Sequence, residues 1–255
     1  MTFFDQKRPN KYNYLKKKIY PFKPPYGYIK KRYGGEKDGS YVFLENLFDK
    51  SKFVYSYGIG NESSALCFDK HAAELGKKVY MYDGSIKELP LYHENFIFKS
   101  EYLYEGVLKD HIDYNGHQKQ DDMVLKMDIE GHEYSVVTTD IKLINYHFNQ
   151  LSIELHSLIE EIPDGWSIDE PMLSIKKNKN AKEDFFDKIL NYYNIVHIHA
   201  NNHAPRHLDF PDSLEITFLR KDHQVNGEDK SVFPIDGLDF PNYNSKEDYV
   251  LDWWT

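Results

Sequence analysis

The stretch Met123–Val137, MVLKMDIEGHEYSVV, constrains this chain more than any other. Val124, Leu125 and Met127 form a short apolar run that stops at Asp128, Glu130, Gly131, His132 and Glu133, after which apolar residues return at helical spacing. That is the pattern of a buried strand feeding a helix. In an open α/β sheet, polar residues at the carboxyl end of such a strand face the crevice where ligands bind, which makes Asp128 the first candidate for chemistry. The competing reading is local, with Asp128 and Glu130 capping the helix.

The strand-to-helix pattern recurs upstream. Lys52–Tyr57, KFVYSY, runs into GIGNESSALCFDKHAAELGKK, where Ala65, Leu66, Phe68, Ala72 and Leu75 suit a helix, Ser63 or Asn61 could cap it, and Gly76 ends it. Gly58 and Gly60 would let the backbone approach a ligand closely, and the helix start offers N–H groups to a polar or anionic group. A second strand, Lys78–Tyr82, ends in Asp83, 25 positions beyond Gly58, where a carboxylate can accept both hydroxyls of a ribose. A nicotinamide dinucleotide and S-adenosylmethionine both carry such a ribose. The dinucleotide fingerprint wants a third glycine where this chain has Ser63, and that favours S-adenosylmethionine.

Around this centre the reading is of one α/β domain over 28–255, preceded by a basic arm, 1–27, that Pro21, Pro24 and Pro25 interrupt. KRYGGEKDGSYVF reads as a tight loop or hairpin before a strand at Tyr41–Leu44, with Arg32 and Asp38 as candidate contacts or plain turn residues. A third strand is expected at Asn95–Phe98 and a helical stretch at Tyr102–His111. In Leu151–Leu155, LSIEL, Glu154 and His156 fall on the same side. A carboxylate within an apolar strand needs a partner, and its place beside Asp128 suggests shared work, a bound cation among the options. Residues 157–180 read as an insertion or lid. A helix follows over Ala181–Tyr193, then strands at Ile195–His199 and Leu214–Leu219, and the acidic tail 222–255, ending in Trp253 and Trp254, packs across the domain or against a second copy.

Charge separates function classes. The net charge is −9, yet residues 1–37 hold eleven Lys and Arg against Asp5 and Glu36, about +9, leaving about −18 for the rest. A general nucleic-acid binder needs the opposite balance. The arm could embrace a phosphate-bearing ligand or simply be solvated. No apolar run approaches the ~20 residues of a membrane span. The opening residues lack the apolar centre of an export signal, and Cys67 has no partner for a disulfide, so a cytoplasmic setting is expected.

Seven segments in order, RYGGEKDGSYV, VYSYGIGNESS, VYMYDGS, VLKMDIEGHEY, QLSIELH, VHIHANN and LEITFLR, resemble the FkbM family of S-adenosylmethionine-dependent methyltransferases across roughly residues 32–220. The resemblance implies a doubly wound, seven-stranded Rossmann-like sheet with the last strand antiparallel. It also implies O-methylation of hydroxyls, often of sugars or nucleotide-linked sugars in bacterial surface-polysaccharide (capsular) pathways. Cofactor contacts are then expected from Tyr57, Gly58, Gly60, Asn61, Asp83 and Gly84, and acceptor contacts from Arg32, Asp38, Asn201 and Asn202.

Methyl transfer to an alcohol needs an acceptor held in line and a base or metal to activate it. Asp128, His132 and His199 are the candidate catalytic residues, with His156 a further candidate base and His197 a structural one. Asp128, Glu154 and His156 form a candidate set for Mg²⁺ or Mn²⁺. Two alternatives stay open: an NAD-dependent oxidoreductase, and a non-catalytic glycan- or partner-binding protein on the same fold. A homodimer is compatible with either.

Overall fold

The computed structural model describes residues 12–160 and 178–255. The elements, in order, are α1 (Asn13–Lys16), β1 (Lys30–Tyr33), β2 (Tyr41–Leu44), α2 (Glu45–Phe48), β3 (Phe53–Tyr57), α3 (Cys67–Glu74), β4 (Lys78–Tyr82), β5 (Phe96–Lys99) and α4 (Val107–Tyr114). They continue with β6 (Met123–Met127), α5 (Glu133–His147), β7 (Phe148–Leu155), α6 (Lys179–Tyr192), β8 (Tyr193–Ala200), β9 (Arg206–His207), β10 (Phe210–Pro211) and β11 (Leu214–Arg220).

Seven strands form one sheet in the order β5-β4-β3-β6-β7-β11-β8, in which β11 runs antiparallel to both neighbours and the other six are parallel. This is the doubly wound sheet with an antiparallel last strand expected from the sequence. Side-chain alternation assigns each strand residue to a face. Val54, Val79, Met81 and Val124 pack with Phe68 and Ala72 of α3 and Phe43 of β2. Tyr55, Tyr57, Leu125 and Met127 pack with Val136 and Ile141 of α5 and Phe185 of α6. Covered on both faces, β6 is buried at every position, Lys126 included, and this is why it reads as a short apolar run.

Element ends moved by a few residues for local reasons. The helix expected at Tyr102–His111 forms at Val107–Tyr114 because Gly106, left-handed at φ 81°, sets its start. Neither Ser63 nor Asn61 caps α3, which begins at Cys67 with no side-chain cap, while Gly76 ends it at φ 81° as expected.

The β1–β2 hairpin stands over the sheet rather than in it. Leu44 N–H donates to Gln150 Oε1 at 2.8 Å, Gln150 Nε2 donates back to Leu44 O at 3.2 Å, and Thr217 Oγ1 donates to Val42 O at 2.6 Å. These bonds bring the 34–40 turn to the carboxyl end of the sheet.

Residues 1–11 of the expected arm and 161–177 of the expected insertion lie outside the described residues. From Tyr12 onward the chain is docked on the domain: Tyr12, Leu15 and Ile19 are fully buried, and Phe22 N–H donates to Ile195 O at 2.7 Å. Four lysines of this stretch and of β1 are paired. Lys16 pairs with Asp209, Lys18 with Asp187, Lys30 with Asp229 at 3.2 Å and Lys31 with Glu45 at 2.6 Å. The tail crosses the domain, with Trp253 Nε1 donating to Ile19 O at 3.1 Å and Trp254 Nε1 to Ser231 O at 2.8 Å. No helix among the described residues is long and apolar enough to cross a membrane.

Candidate functional site

The carboxyl ends of β3, β4, β6 and β7 open into a cleft of about 450 Å³. At its floor the chain leaves β3 through Gly58, whose φ of +74° suits glycine. A Cβ at this position would lie 1.5 Å from the Asp128 carbonyl oxygen, so the turn and the end of β6 are in direct backbone contact. Gly60, at φ +71°, continues the turn. Asp83 braces it: Oδ2 accepts from Ile59 N–H at 2.8 Å and Gly60 N–H at 3.0 Å, and Oδ1 accepts from Ser85 N–H at 2.8 Å and Ser85 Oγ at 2.6 Å. Burial pushes this carboxyl's pKa up, but the bonds from Ser85, Ile59 and Gly60 outweigh it and hold the group below its ordinary value.

Asp128 stands across the cleft from Asp83's strand. Its Oδ2 accepts from the Tyr41 hydroxyl at 3.2 Å and from Lys126 Nζ at 3.5 Å, and its Oδ1 lies 3.7 Å from His156 Nε2. Lys126 also donates to the Tyr57 carbonyl at 3.2 Å and to the Gly58 carbonyl, tying the glycine turn to the same carboxylate. The buried Tyr41 hydroxyl is raised well above its ordinary pKa by burial and by Asp128's charge, and so stays a donor.

His156 is ringed by carboxylates. Its Nδ1 donates to Glu133 Oε1 at 3.1 Å, and its Nε2 is 3.6 Å from both Glu130 Oε2 and Glu154 Oε1. Burial disfavours charge on the ring, but Glu133, Glu154 and Glu130 together raise its pKa well above the usual value, so the imidazole is held protonated. Burial and Asp128's charge push Glu154 well up, and His156 opposes them. Glu154 Oε1 accepts from Asn201 Nδ2 and Ser213 Oγ, both at 2.9 Å.

The local fold explains Glu133 and Glu130. Glu133 Oε1 and Oε2 accept from Ile129 and Gly131 N–H at 2.8 Å each, so Glu133, not Glu130, braces the turn into α5. Glu130 does not cap that helix. It takes a left-handed φ of 55°, a conformation costing about 1 to 2 kcal/mol for a residue with a Cβ, and its carboxylate turns into the cluster. Asp128, Glu130 and His156 offer ligand atoms within 4.8 Å of one another. The tight grouping thus has Glu130 where the sequence suggested Glu154, because Glu154 is turned towards Asn201 and Ser213.

Of the residues expected to act, Gly58, Gly60, Asp83, Asp128, Glu154, His156, Asp38 and Asn201 line the cleft. Others lie elsewhere, and each has a physical reason. Tyr57 points into the core, fully buried, with its hydroxyl 3.2 Å from His111 Nδ1. Asn61 lines an adjoining cavity. Gly84 is off the cleft wall, and its missing Cβ makes room for the Tyr102 ring, 2.2 Å from where that atom would be. His132 precedes α5 with its ring edge-on to Tyr104 at 5.7 Å. Arg32 braces the hairpin loop, donating to Gly35 O at 2.9 Å and Lys37 O at 3.0 Å.

His199 and Asn202 belong to the tail's anchorage. His199 donates from Nδ1 to Glu215 Oε2 at 3.3 Å and from Nε2 to Asp248 Oδ2 at 2.9 Å. Burial works against its charge, but Asp248 and Glu215 prevail and its pKa is pushed up to about 10. Asn202, fully buried, donates from Nδ2 to the carbonyls of Tyr243 and Lys246 at 3.1 Å and accepts from Tyr243 N–H at 2.8 Å. Sequence reasoning passed over Tyr41, Lys126, Glu133 and Ser213. A lysine inside the apolar run MVLKM was the one visible signal among them.

Two solved structures show distant likeness. Fibrillarin, a pre-rRNA processing protein of Methanococcus jannaschii, shares 10% identity over 68% of this chain and 68% of its own, with a TM-score of 0.42. VP4 of bluetongue virus, a multifunctional RNA-capping protein, shares 15% identity over 79% of this chain and 29% of its own, with a TM-score of 0.41. Among curated proteins none matches the chain. The Methyltransferase FkbM domain matches residues 45–203, more than half of the chain and all six parallel strands, and the chain therefore belongs to the FkbM methyltransferase family.

Proposed function

We propose that this S-adenosylmethionine-dependent methyltransferase is an O-methyltransferase acting on a hydroxyl of a sugar or nucleotide-linked sugar. The observation that carries the reading is the backbone contact between the Gly58 turn and Asp128, which sets a cofactor cradle against a polar, carboxylate-lined acceptor wall. The cradle fits the cofactor: two left-handed glycines leave the floor bare, and the Asp83 strand end borders it. S-adenosylmethionine supplies an electrophilic methyl group on a sulfonium. Gly58, Gly60 and Asp83 would hold it. All four acceptor positions of Asp83 are used internally, so a ribose hydroxyl would take over a position now held by Ser85.

Asp128 is placed to orient the acceptor hydroxyl and to take its proton as the new O–C bond forms and the C–S bond breaks. Tyr41 and Lys126 fix the carboxylate's angle, and His156, already protonated, offsets the negative charge around it. Glu154, Asn201 and Asp38 offer hydrogen bonds to neighbouring hydroxyls. His132 and His199 carry no role in this reading, the first edge-on to Tyr104 and the second paired with Glu215 and Asp248. Family membership removes the nicotinamide alternative. A role in surface-polysaccharide synthesis rests on the sequence resemblance alone.

One observation favours a second reading of how the hydroxyl is activated. Glu133 fixes His156 Nδ1 and aims Nε2 at Asp128 and Glu130, as outer carboxylates do for metal-binding histidines. A Mn²⁺ or Mg²⁺ ion held there would replace the ring proton and acidify the acceptor.

The test is Asp128→Ala, with turnover followed by mass gain and cofactor binding by calorimetry with S-adenosylhomocysteine. Turnover is expected to vanish while binding persists, and unimpaired turnover sinks the assignment. A folded protein that does not bind S-adenosylhomocysteine favours the non-catalytic alternative. Chelator separates the two activation schemes: loss of activity restored by Mn²⁺ or Mg²⁺ supports the cation, and indifference leaves Asp128 acting alone.

A further inference from the structure

A second cavity, of about 660 Å³, adjoins the cleft and shares Asp38, Gly60 and Ala65 with it. Its remaining wall comes from Lys37, from Asn61, Glu62 and Ser64 just after the Gly60 turn, and from tail residues 242–245. The cavity therefore lies between the end of the glycine turn and the tail, next to Asp38 of the acceptor wall.

The lining has a definite chemical character. Asn61, Asn244 and Asn242 bring amides, Ser245 a hydroxyl, Asp38 a carboxylate and Tyr243 a half-exposed ring. Amides and carboxylates in alternation can donate to and accept from vicinal hydroxyls, and an aromatic ring suits the C–H face of a sugar. Asp38 and Glu62 would repel a phosphate, and the only cation on the wall is Lys37.

Asn242 leaves an acceptor on this wall without a partner. Its Nδ2 donates to Asp38 Oδ1 at 2.8 Å and Glu215 Oε1 at 2.6 Å, yet its Oδ1 is buried with no hydrogen-bond partner among the described residues. Buried acceptors in folded proteins are normally satisfied, and this one belongs to a residue that lines the second cavity. The wall is also held in place. Asn202 clamps the backbone at Tyr243 and Lys246, which fixes the loop that carries Asn242–Ser245.

We propose that this cavity is a second acceptor subsite, formed largely by the C-terminal tail, that binds a neutral polyhydroxylated unit next to the ring being methylated. The proposal rests on the O-methyltransferase reading and extends it: the enzyme takes an acceptor of at least two sugar units, or a sugar on a neutral hydroxylated carrier, and the part in this cavity carries no phosphate.

The test uses the full chain loaded with S-adenosylhomocysteine. Saturation-transfer NMR is run with the methyl glycosides of glucose, galactose, mannose and rhamnose, with disaccharides of each, and with glucose 1-phosphate. The comparison proteins are Asn242→Ala, Tyr243→Ala and, as a remote control, Tyr92→Ala. At least one disaccharide is expected to bind more tightly than its monosaccharide and than glucose 1-phosphate. Asn242→Ala and Tyr243→Ala should each weaken it about fivefold, the equivalent of one hydrogen bond or ring contact, with Tyr92→Ala unchanged. Affinity for S-adenosylhomocysteine should stay within about twofold in every variant.

No disaccharide preference, a preference for the phosphate, or disaccharide binding indifferent to both tail variants overturns the subsite. Weakened S-adenosylhomocysteine binding in the tail variants overturns it as well, since the wall would then serve the cofactor. Failure of the wild-type protein to bind S-adenosylhomocysteine is a different result, and it strikes the methyltransferase reading itself.

Discussion

Gly58→Ala isolates the contact on which the site is built. Two penalties act at this position. The first is conformational: at φ +74° an alanine costs about 1 to 2 kcal/mol. The second is steric, because the new Cβ would sit 1.5 Å from the Asp128 carbonyl oxygen and the two strand ends must part to admit it, an overpacking cost of about 1 to 3 kcal/mol. Two other glycines separate these contributions. Gly60, at φ +71°, would place its Cβ no closer than 3.4 Å to the Ala65 Cβ, and Gly76, at φ +81°, would meet nothing within 4 Å.

Gly60→Ala and Gly76→Ala should therefore show the conformational cost alone. In a chain of this size 1 kcal/mol moves Tm by roughly 2 to 4 °C, so these two variants should drop by about 2 to 8 °C and Gly58→Ala by about 4 to 20 °C. Calorimetric scans read this directly. Asp128 is displaced as well, and a shift of about 1 Å in a reacting geometry costs on the order of 100-fold in turnover. Equal Tm losses at positions 58 and 76 would refute the contact.

Other expectations concern the tail and its anchors. His199 has a folded pKa of about 10 against an ordinary 6.5. Its protonated ring stabilises the fold fully below pH about 6.5, and that contribution, on the order of a few kcal/mol, drains away as pH rises towards about 10. Urea titrations from pH 6 to 10 should show wild-type stability falling over this window, and His199→Gln should be less stable at pH 6 and lack the same slope. Asn202→Ala leaves buried backbone groups of the tail without partners, at about 1 to 3 kcal/mol. Hydrogen exchange should quicken at residues 243–247 while the β3 and β6 amides keep their protection, and an unchanged tail would count against the clamp.

Much of the sheet was legible because its strands are covered on both faces. Lys78–Tyr82 was read to the residue and Leu214–Leu219 to within one, since their β-forming residues stand between polar turns. The cleft residues at strand ends, Gly58, Asp83, Asp128 and Glu154, were legible for the same reason: direction and topology place them together. What escaped depends on backbone angle or on distant chain. Exchanging the roles of Glu130 and Glu133 requires a left-handed glutamate, which no spacing announces. His199 and Asn202 sit just where acceptor contacts belong, but the segment that covers them begins some forty residues later, and only its path shows that they hold the tail.

The strand order also governs how the chain can assemble. β8 touches the sheet only through β11, which lies between it and β7 although it is the last strand of the seven in sequence. Until Leu214–Arg220 has emerged, β7 and β8 each present an open edge, and such edges are templates for pairing with other chains. A nascent or truncated chain ending before β11 is thus the form most exposed to aggregation, and closing the sheet waits on the segment Leu214–Arg220.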